Sequence, residues 1–106
     1  MAKYLLQVNY VGDGVKGLLK EGGTKRRAVA EKAAKSLGGK LEAFYFAFGD
    51  TDAYVIADMP DNVSAAAISL TVGASGVATA RTTVLMTAAE MDEAAAKTPV
   101  YRPPGK

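Results

Sequence analysis

The chain has 106 residues, 13 basic and 11 acidic side chains, a formal net charge of +2, and neither cysteine nor histidine. This length suits one domain, residues 1–106, with a single modest core. The absence of cysteine and histidine excludes disulfides, thiolate or imidazole metal sites, and nucleophilic dyads that depend on histidine. The charges are interspersed, so we expect no nucleic-acid partner, because such proteins usually carry a basic stripe.

Targeting and membrane segments are not expected. The N-terminus alternates apolar and polar residues and lacks the pattern of a secretory leader. Residues 63–80 carry no charge but are rich in alanine, serine, threonine and glycine, whereas a membrane span needs about 20 strongly apolar residues. The lack of cysteine suits a reducing compartment, so a cytoplasmic location is expected.

The first third of the chain predicts a strand followed by helix. Lys3–Val11 alternates in hydropathy and predicts a strand. Apolar residues recur at helical spacing from Val15 to Leu37, but Gly22 and Gly23 interrupt them. This pattern predicts one kinked helix or two consecutive helices. The expected caps are Asp13, Thr24 and the pair Gly38-Gly39.

The second predicted strand, Lys40–Phe48, is apolar on both faces. Strict alternation places Leu41, Ala43 and Tyr45 on one face and Phe44 and Phe46 on the other. An antiparallel strand with one wet face should be polar on that face. We therefore expect both faces of this strand to be covered.

The remaining elements complete a βαββαβ order. A turn at Gly49–Asp52 leads to a strand at Ala53–Ala57, again apolar on both faces. A helix follows Pro60, and a strand is predicted at Val77–Met86. The expected caps are Asp61 or Asn62 for the helix after Pro60, and a capping box at Thr87–Glu90 for a short C-terminal helix, Met91–Lys97, before an extended tail.

This order predicts an α+β, ferredoxin-like fold, in which a four-stranded antiparallel sheet carries its helices on one face. The opposite face would then expose a large apolar patch, which monomers rarely tolerate. We therefore expect a homo-oligomer, at least a dimer, whose sheets cover each other. Phe46 is expected within that contact.

Several segments resemble the GYD-domain family of small bacterial proteins. They are Lys3–Val8, Gly17–Gly23, Leu37–Gly49 and Tyr101–Gly105. Gly49 and Asp52 match two of the three residues that give the family its name, and Thr51 stands where its tyrosine is expected. The resemblance implies a ferredoxin-like, dimeric α/β-barrel type of fold and no established activity.

Three groups of residues are candidate sites. Arg26 and Arg27 follow a glycine pair at a helix start and could bind an anion, or could pair with acids on the surface. Arg81 in mid-strand could share a pocket with Tyr4, Phe46, Tyr45 and Tyr54, or these residues could be core and interface. The acidic residues Asp50, Asp52 and Asp58 could bind a cation, but a turn role is favoured because Asp50 and Asp52 lie in the predicted turn.

Together these features favour a non-catalytic module that binds a small ligand or another protein. The alternative is a small cofactor-independent enzyme of the dimeric-barrel type. No cofactor or metal is expected, because no phosphate-binding glycine motif and no soft ligand set is present. Any small ligand is expected to be anionic and to meet Arg81, or Arg26 and Arg27.

Overall fold

A computed structural model describes residues 1–106 as one antiparallel sheet of four strands with four helices. The strands are β1 (Ala2–Tyr10), β2 (Lys40–Phe46), β3 (Ala53–Met59) and β4 (Ala78–Leu85). The helices are α1 (Asp13–Glu21), α2 (Gly23–Ser36), α3 (Asn62–Ala74) and α4 (Ala88–Ala96). The strand order is β2-β3-β1-β4, which confirms the predicted α+β, ferredoxin-like class.

The core lies between the sheet and the helices α2 and α3. In the central strands, Tyr4 pairs with Ala57 and Leu6 pairs with Val55, and all four side chains are buried. The Tyr4 hydroxyl donates a hydrogen bond to the side-chain oxygen of Asn62 at the start of α3. This bond satisfies a buried polar group and ties α3 to β1.

Two glycines with positive φ end α1 and α2. Gly22, with φ of 83°, separates the two helices, as the glycine pair predicted. Gly38, with φ of 81°, follows α2, and Gly38 and Gly39 donate to the carbonyls of Lys35 and Ala34 in a Schellman motif. The expected N-caps differ, because Gly12 and Gly22 occupy the cap positions while Asp13 and Thr24 lie inside the helices.

A β-bulge in β2 changes which side chains share a face. Leu41 pairs with Ala57 and Ala43 pairs with Ile56, so Glu42 is an extra residue. Leu41 therefore shares the helix-covered face with Phe44 and Phe46, whereas Ala43 and Tyr45 lie on the other face. The predicted alternation was wrong here, because it contained no bulge.

Phe46 consequently belongs to the helix-covered face, not to the exposed one where a subunit contact was expected. Its ring lies in an edge-to-face pair with Phe44, with centroids 5.1 Å apart. It also lies against Gly23, where a Cβ atom would come within 2.8 Å of the ring. Phe46 thus packs against the start of α2.

The helices divide the covered face into two halves. α2 packs on β2 at one edge of the sheet, and α3 packs on β4 at the opposite edge. α1 contacts α2 and β1. A cleft remains between α1 and α2 on one side and α3 on the other.

The two later helices begin at the predicted caps. Asp61 caps α3 by accepting a hydrogen bond from the Ser64 N–H at 2.8 Å. Thr87 and Glu90 form the predicted capping box of α4. None of the four helices is both long enough and apolar enough to cross a membrane.

Candidate functional site

The sheet surface turned away from α1, α2 and α3, here called the open face, carries a row of polar and aromatic side chains across all four strands. Tyr45 pairs with Tyr54, Tyr54 with Gln7, and Gln7 with Arg81. Three of the five predicted ligand-binding residues therefore lie in one row. Tyr4 and Phe46, which the sequence grouped with them, lie on the other side of the sheet.

Arg81 is anchored at one end of this row by Thr51. Its Nη2 donates a hydrogen bond to the Thr51 Oγ1 at 3.3 Å. Thr51 is only 3% exposed, whereas Arg81 is exposed. The bond leaves most of the guanidinium donors free for another partner.

The loop that carries Thr51 is fixed to the end of β1. The Asn9 Nδ2 donates to the Asp50 carbonyl at 2.9 Å, and the Asp52 N–H donates to the Asn9 Oδ1 at 3.2 Å. The Asp52 carboxylate accepts the Tyr10 N–H at 2.9 Å. Asp50 and Asp52 thus serve the loop, which is the turn role that the sequence favoured.

The other end of the open face holds a charge cluster. The Lys3 Nζ lies 3.0 Å from the Glu42 Oε2 and 3.0 Å from the Asp58 Oδ1. The hydrogen bond to Glu42, followed by that to Asp58, raises the pKa of Lys3. One of the two carboxylates in this cluster belongs to Glu42, the extra residue of the bulge in β2.

The helix-covered side carries a cleft of about 610 Å³. Small-molecule pockets commonly measure about 300–1,000 Å³. Its walls are apolar side chains of α1, α2 and α3 and of Leu37, the residue after α2. They include Leu18, Val29, Ile68 and Val72, and Tyr10 lies at the sheet end of the cleft. We call it the helix-side cleft.

Arg26 is the cation in this cleft, and one of its nitrogens has no partner. Its Nε is buried and donates a hydrogen bond to no acceptor within the chain, and it is the only buried side-chain nitrogen or oxygen atom without a partner. Its Nη1 lies 3.8 Å from the Glu21 carboxylate, too far for a good hydrogen bond. A buried donor without a partner costs about 1–3 kcal/mol.

Arg27, next in sequence, has a different environment. Successive helical residues point about 100° apart, and Arg27 faces solvent with its Nη1 3.3 Å from the Glu31 Oε2. The two arginines therefore form no joint site. Arg27 has the surface pairing that was the alternative for both.

Sequence reasoning overlooked two residues that shape these surfaces. Tyr10 continues the alternation of Tyr4, Leu6 and Val8 along β1, so its place on the helix-covered face beside the cleft could have been inferred from that pattern. Thr51 gave no signal of burial, because its environment depends on the folded loop and on Arg81 from a distant strand. The structure thus offers two candidate surfaces, the open face and the helix-side cleft.

Comparison with known proteins gives one match. The model of the GYD domain family matches residues 4–95. No curated protein and no solved structure matches the chain significantly. The matched range includes Arg26, Arg81, Tyr45 and Tyr54, and it leaves residues 96–106 outside.

Proposed function

Because the chain belongs to the GYD domain family, whose name specifies no reaction, we propose its function from its own geometry: it is a homo-oligomeric, non-catalytic module that binds a small anionic ligand in the helix-side cleft. The observation that carries this proposal is the buried, unpartnered Nε of Arg26. A ligand oxygen that accepts from this atom would remove the cost of the unsatisfied donor.

The cleft favours a ligand with an apolar body and one anionic end. Its walls are apolar at Val29 and Ile68, so they suit hydrocarbon or aromatic groups. The guanidinium of Arg26 suits a carboxylate or phosphate, because it can donate two parallel hydrogen bonds. Glu21 stands beside Arg26 as an internal competitor that the ligand would displace.

Binding is favoured over cofactor-independent catalysis by the location of the perturbed ionisable groups. The groups with a displaced pKa are Lys3, Asp61 and Glu90. They serve an ion-pair cluster and two helix caps, and none of them lines the cleft. Catalytic acids and bases usually combine a perturbed pKa with a position in a pocket.

Self-association through the open face is the second part of the proposal. Leu5 and Ile56 are only partly exposed, but Tyr45 is 71% exposed and Tyr54 is 39% exposed in the single chain. A second copy related by a two-fold axis would cover these side chains. Stable interfaces bury about 800 Å² per partner, so the contact is expected to involve residues of all four strands.

The remaining parts of the proposal concern location and other partners. We propose action in the cytoplasm, which suits a chain without cysteine. We propose no nucleic-acid partner, since the net charge is only +2.

The test of ligand binding uses octanoate as the anionic probe and 1-octanol as its neutral match. Octanoate should raise the melting temperature of the wild-type protein, and octanol should raise it less. Arg26→Ala should weaken octanoate binding at least about tenfold in calorimetry, because a hydrogen bond to a charged group contributes about 1.5–3 kcal/mol. Glu21→Gln should strengthen binding, since it removes the internal competitor.

Arg27→Ala is the matched control, because it removes the neighbouring charge outside the cleft. It should bind octanoate as the wild type does. Circular dichroism should show that Arg26→Ala remains folded. Equal octanoate affinity in Arg26→Ala and the wild type would contradict the cleft proposal.

A further inference from the structure

Residues 86–106, here called the C-terminal arm, are not buried against the rest of the chain. Every residue of the arm is exposed. Its hydrogen bonds join arm residues to one another, as in the capping box of Thr87 and Glu90 and the turn from Lys106 to Pro103. The arm is therefore a structured segment without a packing surface.

The shape of the molecule shows that the arm projects from the rest of the chain. The radius of gyration is 16.8 Å, and the longest extent is 57 Å against 33 and 23 Å in the other directions. A compact domain of this length has a radius of gyration of about 13 Å. The excess indicates that the arm extends away from the sheet and its helices.

A helix as short as α4 needs a surface to pack on. It has nine residues, and isolated helices shorter than about 12–15 residues are marginal in water. Ala88, Met91 and Ala95 lie along one side at helical spacing, and Met91 is 56% exposed. Glu90, Asp92 and Glu93 give α4 three acidic side chains and no basic one.

We propose that the C-terminal arm of one copy docks against α2 of a second copy. The charge of α2 is complementary to that of α4, because α2 carries five basic side chains and one acidic one. Lys25 and Lys32 are exposed and form no salt bridge within the chain, whereas Arg27 and Lys35 share Glu31. Lys32 comes seven positions after Lys25, about two helical turns, so both lie on the same side of α2.

The strand order explains why the partner is a second copy. In its own chain the arm leaves β4 at one edge of the sheet, while α2 packs on β2 at the opposite edge. If two open faces pack so that β4 of one copy comes beside β2 of the other, each edge strand lies along an edge strand of the other copy. The arm then emerges at the β2 edge of the partner and passes around that edge to reach α2, which packs on the covered side of β2. This inference rests on the proposed self-association.

Introduced cysteines test the contact directly, because the chain has no cysteine of its own. Met91→Cys and Lys32→Cys variants of the full chain are mixed and oxidised. A mixed disulfide of two chains should form between them. Leu70→Cys on α3, whose parent leucine is 74% exposed, is the matched control and should give little mixed disulfide with Met91→Cys.

Charge reversal supplies the independent readout. Asp92→Lys with Glu93→Lys should weaken self-association about tenfold in sedimentation, since two exposed pairs are lost. Adding Lys25→Glu and Lys32→Glu should restore it, whereas adding Lys16→Glu and Lys20→Glu on α1 should not.

The outcomes separate this inference from the proposed self-association. A wild-type monomer would overturn both. The arm contact alone would be overturned by two results in a protein that still dimerises. Met91→Cys would form as much mixed disulfide with Leu70→Cys as with Lys32→Cys, and charge reversal would leave self-association unchanged. A disulfide confined to one chain in the doubly substituted Met91→Cys, Lys32→Cys protein would place the arm on its own chain and also overturn it.

Discussion

Gly14 in the first turn of α1 lies directly against the backbone carbonyl oxygen of Val77, which precedes β4. A Cβ atom at position 14 would overlap this oxygen. The same carbonyl accepts the Val11 N–H at 3.0 Å. The contact therefore joins the β1–α1 junction to the start of β4, and the backbone on both sides is fixed.

Gly14→Ala should destabilise the protein by about 1–3 kcal/mol, because the added methyl group must displace backbone. Gly17→Ala is the control in the same helix, where a Cβ atom meets nothing within 4 Å. It should raise stability by up to about 1 kcal/mol through higher helix propensity. Urea unfolding of both variants checks the pair, and equal effects would contradict the close approach at Gly14.

Tyr54→Glu should separate the copies while leaving each chain folded. The side chain lies on the open face and is 39% exposed in the single chain, so the charge is tolerated there and becomes unpaired when a second sheet covers it. Sedimentation should give at least twice the 11.0 kDa chain mass for the wild type and one chain mass for the variant.

Leu70→Glu on the outer side of α3 is the control for this experiment and should keep the wild-type mass. A variant Tyr54→Glu that sediments like the wild type would show that the open face is not the contact. Phe46→Asp, by contrast, should weaken folding, since its ring packs against Gly23 of α2.

The elements of this fold could be predicted from sequence because most of their signals are local. The signals that set the helix ends act within one helical turn, so those ends follow from short patterns. They are Asp61, the Thr87–Glu90 capping box and Gly38. The bulge at Glu42 left no such pattern. Its effect is an exchange of faces for every later residue of β2, including Tyr45 and Phe46.

The candidate sites were harder to predict because they depend on contacts between distant segments. Arg26 and Arg27 are adjacent in the sequence. Only the helix geometry shows that Arg26 lies in the cleft and that Arg27 faces solvent. Arg81 stood out as a charge in mid-strand. Its partner Thr51 lies 30 residues away in a loop whose position Asn9 fixes, and no local rule relates the two.

The N-cap of α3 predicts a pH dependence of stability with a definite sign. The ionised Asp61 carboxylate accepts the Ser64 N–H, and this bond lowers the pKa of Asp61 from its ordinary value of 3.8. The folded chain therefore binds this proton less tightly than the unfolded chain. The resulting stabilisation is complete above pH 3.8 and is lost as the pH falls through the lower, folded-state pKa.

Asp61→Ala should accordingly lower the urea midpoint at neutral pH, and its difference from the wild type should shrink as the pH falls below 3.8 and through the lower, folded-state pKa. Asp61→Asn is the control, because asparagine caps helices but does not titrate. The comparison of Asp61→Asn with the wild type therefore measures the effect of the charge alone. Fluorescence of the five tyrosines can follow unfolding at each pH. A difference between Asp61→Ala and the wild type that stays constant from neutral pH to well below pH 3.8 would show that the carboxylate charge contributes nothing to the cap, and that hydrogen bonding by the neutral side chain suffices.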